Sequence, residues 1–344
     1  MATVSRAAEY AVRGDADDDR PRYTCLLCPN RCVISSGYRG RCHARGVEGD
    51  RFVLHNYGCV VAANLDPIEK KPLYHFHPGS SIFSVGSYGC NLFCRFCQNC
   101  DISQHVVGGE TVTPQQLVDT ALRQRHSIGV AFTYNEPTIG YEFLLDTAPL
   151  LHAQRQKVVL VTNGYLEPEP WQTLMTHVDA ANIDLKGFTS EFYRDVCGGR
   201  LDAVLRNIEA ALAAGVHVEL THLVVTDLNI DREAFSHLVD WVAQHDRAVP
   251  LHLSRYFPRH RHSAPPTDPE ILREWYAIAR RRLDHVYVGN LATDTGQDTV
   301  CPQCGTKWIH RHGYSVDVIL KTDRCPCGRP IPVRGFVASA NTAA

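Results

Sequence analysis

The run SVGSYGCNLFCRFCQN, residues 84–99, is the most informative stretch of this 344-residue sequence. It begins at the end of a short apolar segment, passes through a loop that contains glycine, and then places three cysteines at Cys90, Cys94 and Cys97. The spacing is C-x3-C-x2-C, and Phe96 directly precedes the third cysteine. Three thiols this close together in a chain with no secretion signal indicate a metal site and not a disulfide framework.

Three thiolates at this spacing can hold three corners of a [4Fe–4S] cube and leave the fourth iron without a protein ligand. An open iron can chelate the amino and carboxylate groups of S-adenosylmethionine (SAM), and reductive cleavage of SAM yields a 5′-deoxyadenosyl radical. Cys90, Cys94 and Cys97 are therefore predicted as both metal ligands and catalytic residues, with Phe96 as an apolar cover over the cofactor. The competing interpretation is a zinc site built from some of these cysteines, which the preference of zinc for four closed ligands disfavours.

Cys100 lies just beyond this motif and has three possible roles. It can be a small buried residue, a thiol with a redox or substrate role, or a fourth cluster ligand in some state. The first of these interpretations is favoured because free cysteine is among the most buried residue types.

The amino-acid composition limits the classes of protein to which this sequence can belong. Hydrophobic residues make up 44% and charged residues 21%, and the formal net charge is −2, so no global charge favours nucleic acid or a membrane surface. No apolar run approaches the ~20 residues that span a bilayer, and the first residues lack the apolar core of a signal peptide. We predict a cytoplasmic protein with no membrane partner. Its fourteen cysteines then argue for bound metal.

Short β-branched segments alternate with helical stretches from about residue 81 to 290. This order predicts an α/β fold with a parallel sheet, rolled into a full or partial barrel whose site lies at the carboxyl ends of the strands. The predicted strands are 81–85, 129–134, 157–162, 180–185, 216–225, 250–254 and 285–289. The predicted organisation is a disordered tail (1–20), an N-terminal cysteine-rich module (21–58), a connector (59–80), the barrel (81–299), a C-terminal zinc-ribbon-like module (300–335) and a second disordered tail (336–344).

Polar side chains follow successive strands of this predicted barrel. Each alone is as well explained by a structural role, but together they fall where a barrel presents its site. Glu136 offers a carboxylate for the cofactor ammonium, and Asp184 with Lys186 can hold the cofactor carboxylate by charge-assisted hydrogen bonds. The predicted cofactor-binding residues are Phe96, Asn135, Glu136, Thr162, Asn163, Asp184, Lys186, Thr221, His222 and His252.

Two further groups of cysteines lie near the ends of the chain. The C-terminal group, Cys301, Cys304, Cys325 and Cys327, has the two-knuckle spacing of a tetrahedral zinc ribbon, with an auxiliary iron–sulfur cluster as the rival. The N-terminal group, Cys25, Cys28, Cys32 and Cys42, can hold zinc or a second cluster, and its spacing does not choose between them. Its loops are rich in arginine and poor in apolar residues, which inclines the interpretation toward zinc.

The span 25–333 resembles a known family through several motifs at once. These are LCPNRC, LDPIEKKPLYHFHPGS, CNLFCRFCQN, TYNEPT, VTNGY, ANIDLKGF, LSRYFP, DTVCPQCG and CGRPIP. The C-x3-C-x2-C motif resembles the radical SAM superfamily, and the whole set resembles the radical enzyme of the AmmeMemoRadiSam system, related to pyruvate formate-lyase activating enzymes. The resemblance implies a partial (β/α)6 TIM-like barrel and a [4Fe–4S] cluster on Cys90, Cys94 and Cys97.

Three functions remain open at this point. The first is an oxidoreductase-type radical enzyme that abstracts hydrogen from an unidentified small molecule, peptide or RNA and takes electrons from a low-potential donor such as ferredoxin or flavodoxin. The second is an activase that acts on the backbone of a glycyl-radical enzyme. The third is a zinc-stabilised RNA- or protein-binding module without catalysis, which the intact three-cysteine motif disfavours.

Overall fold

The computed structural model describes residues 5–17 and 20–335. The first part of the described chain folds into two small antiparallel sheets. One sheet has the order β1-β6-β5 and the other the order β2-β3-β4. These strands are β1 (Arg6–Ala7), β2 (Ala11–Asp17), β3 (Arg20–Cys25), β4 (Val33–Ser35), β5 (Arg45–Glu48) and β6 (Arg51–Leu54).

The prediction of a disordered N-terminal tail is wrong for those residues of the segment that the structure describes. β1 pairs with β6 and β2 pairs with β3, so this segment is held by strand partners that follow it in the chain. Pairing of this kind is decided by distant residues, and the polar composition of the segment does not show it. Residues 1–4 and 18–19, and the whole predicted tail 336–344, lie outside the described residues.

The predicted connector 59–80 is also more than a link. It forms β7 (Cys59–Val60), β8 (Ala62–Pro67) and a 3-10 turn at Ile68–Lys70. β8 pairs antiparallel with the first barrel strand, β9 (Ser81–Gly86), and so adds an edge strand to the central sheet.

The central sheet has eight strands in the order β16-β15-β14-β13-β12-β11-β9-β8. From β9 to β16 every pairing is parallel, and the predicted strands are confirmed in position and order. Six βα units lead from β9 to β15, and β16 follows, so the fold is the predicted partial barrel. The remaining strands of this sheet are β11 (Ser127–Phe132), β12 (Lys157–Thr162), β13 (Ala180–Asp184), β14 (His217–Val224), β15 (Leu251–Arg255) and β16 (Val286–Gly289), whereas β10 (Glu110–Thr111) pairs with β7 outside it.

The helices that cover the sheet begin where local sequence signals place them. Thr113 caps its helix with a complete capping box to Gln116, and Asp268 caps the last helix ahead of Pro269. Among the described residues no helix is both long and apolar enough to cross a membrane. The helices are α1 (Cys100–Ser103), α2 (Pro114–Arg123), α3 (Tyr141–Ala153), α4 (Pro168–Met175), α5 (Ser190–Phe192), α6 (Leu201–Ala213), α7 (Arg232–His245) and α8 (Pro269–Arg280).

The C-terminal module is a three-stranded antiparallel sheet of β17 (Thr299–Val300), β18 (Lys307–His312) and β19 (Ser315–Val318). It packs against the barrel side through the buried Arg311, which donates a hydrogen bond to the Tyr74 carbonyl at 2.7 Å and is held within the module by a second one to Thr299 Oγ1 at 2.8 Å. The module therefore lies against residues that fill the amino-terminal side of the barrel.

Glu219 is a buried carboxylate on the amino-terminal side of the barrel, where several polar groups contact it. Its carboxylate accepts backbone hydrogen bonds from Tyr74 at 3.0 Å and from His75 at 2.7 Å. It also lies 3.0 Å from Nε2 of His217 and 2.7 Å from Nε2 of His252. Burial opposes the charge, but the contacts with the two histidines outweigh burial and hold the pKa of Glu219 well below its usual value.

We expect this carboxylate to make the protein sensitive to acid. Because its pKa is lower in the folded than in the unfolded chain, its contribution is present above the unfolded value of about 4.3 and is lost as the pH falls through the folded value. Urea unfolding between about pH 7 and about pH 3 measures the loss. Glutamine has nearly the same shape as glutamate but does not titrate. The free energy of unfolding of the Glu219→Gln variant should therefore fall less steeply as the pH is lowered. Equal slopes in the two proteins would contradict the assignment.

Candidate active site and metal centres

A cleft of about 460 Å³ lies at the carboxyl ends of the parallel strands. It is lined by residues from the loop after β9 and from the ends of β11 to β15, so distant segments meet at one surface. Most of the predicted site residues line it, namely Cys90, Cys94, Phe96, Cys97, Asn135, Glu136, Thr162, Asn163, Asp184, Lys186 and Thr221.

The loop that carries the three cysteines is held tightly against the N-terminal module. Gly89 has a φ of +90°, and a Cβ added there would lie 2.2 Å from the carbonyl oxygen of Cys42. Both the backbone conformation and the contact require glycine at this position. The fixed loop then presents Cys90 to the cleft.

The sulfur atoms of this loop are met by hydrogen-bond donors. Cys90 Sγ lies 3.4 Å from the backbone nitrogen of Leu92 and 3.6 Å from Asn163 Nδ2. Cys97 Sγ lies 3.1 Å from the Ser103 hydroxyl. Thiolate ligands of iron–sulfur clusters are stabilised by such contacts. Three thiols that face one cleft, two of them with hydrogen-bond partners at their sulfurs, therefore fit a [4Fe–4S] cluster.

Glu136 lines the cleft, where its proposed contact with the cofactor ammonium stays a prediction, and it also holds a neighbouring loop. One carboxylate oxygen accepts hydrogen bonds from the hydroxyls of Thr138 and Thr162, both at 2.7 Å, and the other accepts from the backbone N–H of Asn163 at 2.8 Å. Burial raises the pKa of Glu136, and these hydrogen bonds counter that rise. The side chain lines the cleft, but its main contacts fix the loop after β12.

Asp184 and Lys186 form an ion pair at the end of β13, with Nζ 2.7 Å from Oδ2. Burial opposes the charge of Lys186, but the Asp184 carboxylate outweighs burial and holds the pKa of the lysine well above its usual value. The Tyr193 hydroxyl accepts a hydrogen bond from the Lys186 backbone N–H at 3.1 Å. The cleft therefore contains a charged lysine that is held beside a carboxylate.

Two predicted residues lie away from the cleft. His222 points to the helix side of the sheet, where its ring packs on Phe235 and Trp275 and its Nδ1 lies 2.8 Å from the Leu185 carbonyl. Burial lowers the pKa of His222 to about 4. His252 contacts the Glu219 carboxylate on the amino-terminal side of the barrel, as described above. Alternate residues of a strand point to opposite faces, which is why Thr221 reaches the cleft and His222 does not.

The cleft also contains residues that the sequence analysis missed. Lys70 and Lys71 reach it from the predicted connector, and Asn290 reaches it from the loop that follows β16. The lysines lie in the motif LDPIEKKPLYHFHPGS, which was noted for its resemblance but was not placed in the barrel. Cys197 is a second omission, because its thiol hydrogen-bonds Cys94 and lowers the pKa of that cysteine.

The predicted C-terminal ligands come together in space. Sγ of Cys301 lies 3.6 Å from Sγ of Cys327, and Sγ of Cys304 lies 3.5 Å from Sγ of Cys325. Among residues 5–17 and 20–335 this is the one group of three or more cysteine, histidine or carboxylate ligand atoms that all lie within 4.8 Å of one another. The arrangement is a metal-binding cysteine cluster.

The predicted N-terminal ligands also come together, in a different way. Cys25, Cys28, Cys32 and Cys42 line a single small cavity, and Arg45 lines the same cavity. Three of these cysteines are buried and Cys32 is half-buried. The structure thus places four cysteines and one arginine around one small cavity.

Comparisons with known proteins agree with this geometry. Residues 84–242 match the family model of the radical SAM superfamily. The chain is 37% identical to the uncharacterized protein MJ0808 of Methanocaldococcus jannaschii over 328 residues, which is 92% of this chain and 96% of the relative.

It is 22% identical to the benzylsuccinate synthase activating enzyme of Thauera aromatica over 233 residues, covering 64% of this chain and 68% of the relative.

A solved structure, a domain of a pyruvate-formate lyase-activating enzyme from Bacteroides vulgatus, is similar with a TM-score of 0.42 and 21% identity. The aligned region covers 47% of this chain and 99% of the chain in the solved structure. The finer resemblance to the AmmeMemoRadiSam system stays a prediction. The cysteine motif, the parallel barrel and the family match lead to one conclusion: the chain belongs to the radical SAM superfamily of enzymes.

Proposed function

We propose that this protein binds a [4Fe–4S] cluster on Cys90, Cys94 and Cys97 and uses it to cleave SAM. The observation that carries the proposal is the meeting of these three cysteines with Asp184 and Lys186 in one cleft. A cluster held by these three cysteines would supply the one electron needed to cleave SAM reductively into methionine and a 5′-deoxyadenosyl radical, and that radical would abstract hydrogen from a C–H bond of the substrate. A low-potential donor such as ferredoxin or flavodoxin would supply that electron.

The residues of the cleft have separate tasks in this proposal. The Lys186 ammonium has three N–H donors and donates one hydrogen bond to Asp184, so two donors remain for an incoming carboxylate. Asp184 keeps the lysine charged and fixes its position. Glu136 is a positioning residue, because it holds the loop from which Asn163 contacts Cys90. Phe96 packs on Phe192 with ring centroids 6.1 Å apart and covers one wall with apolar surface.

The experiment that tests the proposal is an assay of SAM cleavage. Protein purified without oxygen is mixed with SAM and dithionite, and 5′-deoxyadenosine is followed by chromatography. We expect the product to form with dithionite and to be absent without it. Protein that carries its full iron and sulfide, yet forms no 5′-deoxyadenosine, would contradict the proposal and favour a binding module.

For the C-terminal cluster we propose zinc. Four thiolates around one tetrahedral zinc, each at about 2.3 Å, would lie about 3.8 Å from one another. The sulfur pairs at 3.5 and 3.6 Å are close to this value. The Thr306 hydroxyl lies 3.1 Å from Cys304 Sγ, where it can donate a hydrogen bond to a thiolate ligand of zinc.

A second candidate function is activation of a glycyl-radical enzyme. It is favoured by the similarity to two activating enzymes, those for benzylsuccinate synthase and, over a shorter stretch, for 4-hydroxyphenylacetate decarboxylase. The substrate would then be a protein backbone and not a small molecule or RNA. A glycyl-radical signal in a partner protein, measured by electron paramagnetic resonance after the SAM cleavage assay, would separate the two candidates.

A further inference from the structure

We propose that Cys25, Cys28, Cys32 and Cys42 hold a second iron–sulfur cluster, with Arg45 as a hydrogen-bond donor to it. The two cysteine modules at the ends of the chain would then carry different metals. This inference does not rest on the proposed SAM chemistry, because it concerns residues outside the cleft.

The spacing of the sulfur atoms is the first argument. A single zinc draws four thiolates to about 3.8 Å from one another, and the C-terminal cysteines have that spacing. Among the described residues, no three of the N-terminal sulfurs fall within 4.8 Å of one another, although all four line one cavity. The same is true of Cys90, Cys94 and Cys97. A cluster spreads its thiolates because they bind different irons. The N-terminal site therefore resembles the cluster loop and not the zinc module.

Arg45 gives the second, independent argument. Its side chain is 1% exposed and lines the cavity together with the four cysteines. The two terminal nitrogens bind Glu142 and the Glu9 carbonyl, but among the described residues nothing accepts a hydrogen bond from Nε. A buried donor without an acceptor is costly, so a partner is expected at this point. The sulfur atoms of a cluster are acceptors, and hydrogen bonds to them tune its potential.

Burial of the site is the third argument. The sequence analysis inclined toward zinc because the loops themselves are poor in apolar residues. In the structure the shielding comes from elsewhere, because Cys25 and Cys28 belong to the main hydrophobic core together with Leu27 and Ile34. In the C-terminal module, by contrast, Cys304 and Cys327 are exposed. An enclosed site suits a cluster whose potential depends on exclusion of solvent.

The two cluster sites would be neighbours. The Cys42 carbonyl packs directly on Gly89, the residue before Cys90, and the Asn30 side chain donates a hydrogen bond to the Asn91 carbonyl at 2.7 Å. Two paramagnetic clusters in adjacent loops should broaden each other's electron paramagnetic resonance signals. This broadening can be measured independently of enzyme activity.

The test uses the full-length Cys90, Cys94, Cys97 triple-alanine variant, which keeps the N-terminal ligands. After anaerobic reconstitution with iron and sulfide, we expect about two or four iron per chain with matching sulfide, and a cluster resonance on reduction. Further replacement of Cys28 and Cys32 by serine should remove that iron, whereas Cys59→Ser on the same background should keep it. A triple variant that takes up no iron overturns the proposal, whether or not its N-terminal site holds zinc.

Failure of this inference is distinguishable from failure of the proposed function. Iron in the triple variant, combined with a wild-type protein that forms no 5′-deoxyadenosine, would support the second cluster and contradict SAM cleavage. An iron-free triple variant, combined with a wild-type protein that forms 5′-deoxyadenosine, would contradict the second cluster and support SAM cleavage.

Discussion

Replacement of Cys90, Cys94 and Cys97 by alanine should abolish the formation of 5′-deoxyadenosine. These thiols are the cysteines that line the cleft beside Asp184 and Lys186, so no ligand would remain to hold iron there. The rate should fall by at least about 10⁶-fold, the lower end of enzymatic rate enhancements, and therefore below detection. The measurement is 5′-deoxyadenosine per chain in the dithionite assay, with circular dichroism as a check that the variant is folded.

Cys100→Ala is the matched control for that result. Cys100 follows the motif directly, but it is buried outside the residues that line the cleft, with its Sγ 3.6 Å from Asp101 Oδ1. We expect this variant to keep its iron and most of its activity. Loss of iron in Cys100→Ala would instead support the fourth-ligand interpretation. A triple variant that still forms 5′-deoxyadenosine would contradict the assignment of the cluster.

The barrel was predictable because its signals are local. Each buried parallel strand is a short apolar run, and each helix begins at a recognisable cap such as Thr113. The polar residues at strand ends were predictable by the same logic, since the fold rule sends all of them to one edge. The sequence therefore predicts which segments form the cleft and most of the residues that line it.

The errors arose where side-chain direction or distant pairing decides the outcome. His222 and His252 lie on strands that reach the cleft, but His222 points to the helices and His252 lies too far down the barrel. The hydrogen bonds that Glu136 accepts from the end of β12 also went unnoticed, because spacing along the chain does not show them. The strands β1 and β2 were missed because their partners are supplied by later segments.

Cys197 shows a further limit of cysteine counting. It stands apart from the three cysteine groups in sequence, yet its thiol contacts Cys94. Grouping by spacing assigns neighbours along the chain, whereas the π-helical turn Tyr193–Cys197 brings this residue in from the segment after β13. Contacts of this kind follow from packing around the site and have no signature in the local sequence.

Arg45→Met should be among the most destabilising substitutions in the chain. Arg45 and Glu142 form a two-pronged ion pair at 2.7 and 2.9 Å, with side chains that are 1% and 4% exposed. Removal of one partner leaves the other as an uncompensated buried charge, which costs about 3–5 kcal/mol. The pair also ties the N-terminal sheets to α3, because the Glu9 backbone N–H donates a hydrogen bond to Glu142 at 2.7 Å. Chemical denaturation of the metal-loaded protein measures the change in free energy of unfolding.

A double-variant cycle separates the ion pair from any effect on the metal site. Glu142→Gln and the double Arg45→Met, Glu142→Gln variant complete the cycle, and the double variant should be less destabilised than the sum of the single variants. Arg200→Met is the control, because the Arg200–Asp202 pair is exposed and such pairs are worth at most about 1 kcal/mol. If Arg45→Met cost no more than Arg200→Met, the buried pair would not anchor the N-terminal module. If the single effects were additive, the cost of Arg45→Met would come from the cysteine site and not from Glu142.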